Sequence, residues 1–102
     1  MAACWTHTMI VGALRIRLLL RESRSLKDKR QVVKSIKDRL HNGFNVSVAE
    51  IEEQDNCRIA VLGIALVGAE VYPVRTTLEK IAAALRVHPV AELIDHEIEV
   101  GR

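Results

Sequence analysis

The sequence predicts an α+β chain, a ferredoxin-like β-α-β-β-α-β sandwich with a four-stranded antiparallel sheet and two helices on one face. Three observations carry this reading. Two stretches repeat their apolar residues at the helical period, Ser25–Leu40 and Tyr72–Leu85. The opening stretch Met9–Leu20 alternates with period two, as a strand with one buried face does. Arg58–Val67 (RIAVLGIALV) is apolar on both faces, which marks a central strand. The connections are short, so two βαβ crossovers can share one sheet.

Each element follows in chain order. Residues 1–8 (MAACWTHT) read as a flexible leader, with Met9 as an alternative start, and residues 9–102 as the single domain. In the first strand Ile10, Leu14, Ile16, Leu18 and Leu20 share one face, and Val11, Ala13, Arg15, Arg17 and Leu19 the other. Ser25 with Asp28 three residues on is a capping-box pattern that opens the first helix. Leu26, Val33, Ile36 and Leu40 form its apolar face, and Asn42-Gly43 reads as a left-handed stop. Phe44–Glu53 is a second strand whose alternation blurs after Val48, the signature of a bulge or a frayed edge. Gln54-Asp55-Asn56 is a turn by composition. Pro73 suits the first turn of the second helix, whose stripe is Val74, Leu78, Ile81 and Leu85. The last strand runs over 90–100, with Val90, Ile94, Ile98 and Val100 expected inward beside His96, and Leu93, Asp95, Glu97 and Glu99 outward.

At 102 residues and 49% hydrophobic, the chain is one domain with an aliphatic core, since Trp5, Phe44 and Tyr72 are its only aromatics. Cys4 and Cys57 lie far apart without a CxxC partner, which fits a reducing cytoplasm. No secretory signal pattern is visible, and Ile59–Val67 is shorter than the roughly 20 apolar residues a bilayer requires, so no membrane role is expected.

The net charge of +2 hides an asymmetry: Met1–His41 carries ten Lys/Arg against three acids, and Asn42–Arg102 five against ten. On the first helix Lys27, Arg30, Lys34, Lys37 and His41 recur at spacings of three and four, one cationic arc beside the apolar face. A charged helix face is most often simply solvated, but cations segregated in this way also suit a phosphate track. Lys29 falls near the apolar face, where its stem is expected to snorkel past the sheet edge. Arg15 and Arg17 are expected to find partners among Asp95, Glu97 and Glu99 on the open sheet face. The remaining open side of Arg58–Val67, with Val11, Ala13 and Leu19, would leave an apolar patch that a second copy could cover.

Several chemistries lack their residues. The Arg21–Ser25 loop has neither the paired cysteines of a metal carrier nor the glycines of a phosphate cradle. The first and third strands hold no aromatic for base stacking. His7, His41, His88 and His96 fall on unrelated segments, so no metal is expected. No nucleophile emerges from Ser23, Ser25 or Ser35, and neither an enzyme nor a cofactor is expected.

Ser25-Leu26-Lys27-Asp28-Lys29-Arg30, then Phe44-Asn45-Val46-Ser47-Val48-Ala49-Glu50, followed by a Gln-Asp turn and an apolar strand, resembles the YlxP-like family, domain of unknown function five hundred and three. The likeness covers about Met9–Val100, with Gly43 standing where the family commonly has arginine or lysine. It implies a ferredoxin-like bacterial cytoplasmic protein without an assigned activity, of a kind often encoded beside ribosome-maturation and translation-initiation genes. By the matching motifs, Lys27, Lys29, Arg30, Asn45, Ser47 and Glu50 are the family-pattern residues, and Asn45, Ser47 and Glu50 are candidates for a polar cluster near the first helix. The resulting expectation is a homo-oligomeric binding module that contacts RNA or the ribosome through Lys27, Lys29, Arg30, Lys34, Lys37 and His41. The alternative is a protein–protein assembly domain with no nucleic-acid role.

Overall fold

The computed structural model describes residues 8–101, so the expected leader lies, but for Thr8, outside the described residues. The elements are β1 (Ile10–Leu19), α1 (Leu26–Gly43), β2 (Ser47–Glu52), β3 (Ile59–Gly68), α2 (Val71–Arg86) and β4 (Glu92–Gly101). One antiparallel sheet has the order β2-β3-β1-β4, with both helices closing a single core on one of its faces. This is the ferredoxin-like α+β arrangement that the periodicities predict.

The core is the inward ladder of β1 meeting the helical stripes. Ile10, Leu14, Ile16 and Leu18 pack with Ala60, Leu62 and Ile64 of β3 and with Val33, Ile36, Leu40, Val74, Leu78, Ile81 and Leu85 of the helices. Side chains at i, i+3 and i+4 on the helices meet every second residue of the strands, so each period supplies one face. α2 sits very close to the sheet. A Cβ at Gly68 would come 2.7 Å from Val74, and one at Gly12 would clash with Val74 and come 2.9 Å from Leu78.

Ser25 caps α1: its Oγ accepts from the Asp28 N–H at 3.0 Å, while Asp28 Oδ2 accepts from the Arg24 N–H at 2.9 Å. The reciprocal arm therefore lands one residue upstream of the usual capping box. Three expectations need correction. Asn42-Gly43 does not form a left-handed stop: Gly43 has no positive φ, α1 runs through it, and extended Phe44 donates to the Leu40 carbonyl at 2.8 Å. β2 begins at Ser47 rather than Phe44, although the expected bulge is present, as a register shift between Glu50 and Glu52. The last strand begins at Glu92 and not at Val90, which lies before it and is 47% exposed. A second register shift, in β4, turns Leu93 toward the core opposite Leu18, leaving Ile94 45% exposed. Beyond that shift His96, Ile98 and Val100 do face inward, opposite Ile16, Leu14 and Gly12.

Candidate functional site

The open sheet face is built first by pairing. β1 sets Arg15 opposite Glu97 and Arg17 opposite Asp95. Arg15 lies 3.5 Å from Glu97 and 4.0 Å from Asp95, and its Nε donates to Glu52 at 2.6 Å across the intervening β3. That crossing passes Gly63, the residue opposite Arg15, where Ile51 also folds over the absent side chain. Arg17 lies 3.7 Å from Glu53, and Arg21 pairs with Glu92 at 3.0 Å. The expected partnering with the last strand is therefore present for Arg15, with Glu52 added, whereas Arg17 pairs with Glu53 instead of Asp95, Glu97 or Glu99. The hydrogen bond from Arg15 holds the Glu52 carboxyl below the usual carboxylate range.

These charges cover one end of the open face, where Val61, flanked by Arg17 and Glu52, is wholly buried. The other end stays apolar. Val11 (41% exposed), Ile51 (46%) and Val67 (62%) lie among exposed Ala13, Ala49 and Ala65. Asn45 and Ser47 border it, lining a shallow cavity of about 380 Å³ with Val11 and Val67.

Lys29 departs most from expectation. Its side chain is 1% exposed, so it neither snorkels nor joins the outward cations. Its Nζ donates to the carbonyls of Glu53 at 2.7 Å and Ile59 at 3.1 Å, with Gln54 farther at 3.4 Å. The same Nζ lies 2.7 Å from Glu50 Oε2, an atom with no aligned hydrogen-bond partner of its own, so the contact is a buried ion pair. Glu53, whose carbonyl is the nearest of these acceptors, is the one non-glycine at positive φ (58°) among the described residues. Glu50 thus meets Lys29, whereas Asn45 and Ser47 lie at the other end of β2; the expected polar cluster divides in two.

The helical layer carries the remaining cations. Lys27, Arg30, Lys34 and His41 are exposed and Lys37 is half-buried. Lys34 pairs with Asp38 at 2.9 Å, so the cationic arc is less cleanly separated from acids than its spacing implies. No ion pair involves Lys27, Arg30, Lys37 or Arg39 among the described residues, in contrast to Arg15, Arg17 and Arg21 of the sheet side. By element, the two helices hold nine Lys/Arg against three acids and the four strands two against six. The asymmetry along the chain becomes an asymmetry through the thickness of the molecule. Among the described residues no helix is long and apolar enough to cross a membrane.

Comparison with known proteins adds a family and a fold. The profile of the family described as "Protein of unknown function (DUF503)" matches residues 11–98. "Uncharacterized protein YlxP" of Bacillus subtilis (strain 168) is 32% identical over 83 residues, 81% of this chain and 90% of that protein. Among solved structures, "De novo designed protein Foldit4" superposes with a TM-score of 0.53 over 92% of this chain and 97% of its own, at 18% identity, a likeness of fold alone. With the profile spanning both helices and most of the sheet, and a relative of this identity over most of the chain, the protein belongs to the DUF503 family.

Proposed function

We propose that this protein is a non-enzymatic binding module whose α1 surface contacts structured RNA, in a ribosomal setting in the cytoplasm, through phosphates. The observation that carries the reading is the contrast in pairing. Arg15, Arg17 and Arg21 are paired with Glu52, Glu53 and Glu92, while Lys27, Arg30 and Lys37 of α1 have no acid partner among the described residues. Unpaired cations on one rigid helix match a phosphate ladder without reading sequence. The groups chemically suited to catalysis are otherwise engaged. Lys29 and Glu50 hold each other, Ser25 caps α1, and Ser23 Oγ donates to the Ser25 carbonyl at 3.2 Å. Lys29 is left out of the contact set because its ammonium is enclosed.

The test is the variant K27E/R30E/K34E/K37E, assayed for binding to ribosomal RNA at several salt concentrations. The native protein should bind with a slope of about −0.7 to −0.9 in log affinity per phosphate neutralised, and the variant should lose both affinity and slope. Equal affinity for both proteins overturns the reading.

A second reading rests on a different observation, the apolar end of the open face around Val11, Ile51 and Val67. Such a patch on a small domain favours self-association sheet to sheet. The variant V67D/I51D should shift a dimer or larger species toward monomer in sedimentation, and a native chain that stays monomeric at about millimolar concentration removes this reading.

A further inference from the structure

We infer that the cleft between α1 and α2 is a binding site for a small amphipathic carboxylate, its apolar body between the helices and its charge on Arg39 and His88. The cleft holds about 210 Å³ and is lined by Ile36, Leu40, Phe44, Ala84 and Leu85, with Arg39 and His88 as its polar residues. At about 30 Å³ per water this is room for about seven water-sized groups, the scale of an acid with about six to eight carbons.

Two features select an anion over an uncharged ligand. Arg39 makes no hydrogen bond or ion pair among the described residues, and no acid lines the cleft. At ~100° per residue Arg39 lies about 120° round α1 from Lys27, on the flank toward α2 rather than within the outward stripe. The Arg39 charge also reaches His88: burial first, then this guanidinium, lowers the imidazole below its ordinary pKa. A carboxylate seated between them would pair with the unpartnered guanidinium and relieve that repulsion. His88 is held in position, since its N–H donates to the Leu85 carbonyl at 3.4 Å and its Nδ1 accepts from the Val90 N–H at 3.2 Å. Nε2 is therefore the nitrogen available to a ligand.

Other charged groups near His88 belong to the adjoining hollow, which His88 lines together with Arg21, Glu22, Arg86 and Glu92. Arg21 and Glu92 are already paired at 3.0 Å. Glu22 and Glu92 line that hollow and not the cleft, so neither acid stands beside Arg39 within it.

The experiment titrates octanoate into the full chain, followed by NMR of the Phe44, Ala84 and Leu85 resonances and by the pH titration of the His88 ring. Expected are saturable shifts at these residues, an upward move of the His88 midpoint, and octanol binding weaker by about tenfold. The variant R39Q, checked for an unchanged melting temperature, should lose about tenfold in octanoate affinity, and K27Q should lose none. Silence of the cleft resonances up to ~10 mM octanoate overturns the proposal. So does octanol binding as well as octanoate, or R39Q binding as well as the native chain. RNA binding rests on the opposite flank of α1, so either proposal can fail without the other.

Discussion

Lys29 and Glu50 explain the two sequence motifs at the residue scale: each places an ionisable group in phase with the core, and the two charges meet there. Removing one partner leaves the other charge dry, along with the carbonyls of Glu53 and Ile59. Lys29→Met should lower unfolding stability by about 3–5 kcal/mol in urea titration. Lys29→Met/Glu50→Leu should recover part of that loss, a coupling that a double-mutant cycle measures directly. The pair was legible in principle. Lys29 falls on the same helical arc as Val33, Ile36 and Leu40, and Glu50 alternates in phase with Val46 and Val48. What no one-dimensional pattern holds is the register that brings the two together. Two lowered pKa values contribute to the acid limb of stability. His88 has a lowered folded pKa, so its contribution is complete above its unfolded pKa of about 6.5 and fades as pH falls through that region. Glu52, also lowered, keeps its contribution above the ordinary carboxylate range and loses it as pH falls further. His88→Gln should flatten the first part of a stability-against-pH curve and leave the second; an unchanged curve between neutrality and pH ~5 would contradict this.

At the scale of elements, β1 and the two helices were readable because their apolar residues recur without interruption. The bulge in β4 was not, since Leu93 and Ile94 are both apolar and alternation cannot choose between them; pairing with Leu18 does. The same holds for Gly43, whose composition suggests a stop while the helix continues through it with ordinary backbone angles. Glycine matters where α2 approaches the sheet. Gly12→Val should cost about 1–3 kcal/mol or more by overpacking against Val74 and Leu78, read as a fall in melting temperature. Gly43→Ala meets open space and should raise helix stability by up to about 1 kcal/mol. Ser25→Ala removes the oxygen that accepts from Asp28 and should cost about 1 kcal/mol.

Across the whole molecule, sequence composition showed a basic and an acidic half, and only the fold redistributes those charges into net-basic helices and net-acidic strands. Crossover topology collects both helices on one face, and the sheet brings Arg15 among acids of β2 and β4 and Arg17 against Glu53, just beyond β2. Self-association driven by the apolar end of the sheet should survive high salt, whereas contact of one molecule's helices with another's strands should weaken with it. Sedimentation at low and high ionic strength separates the two modes. The charge division has a kinetic consequence as well. A domain with its helices positive and its strands negative is an electric dipole, and near any polyanion it experiences a torque before contact. Collisions then begin helix-first instead of at random. Encounter is fastest in dilute salt, and the advantage shrinks once the screening length, about 8 Å under physiological conditions, falls well below the 22 Å shortest dimension of the fold.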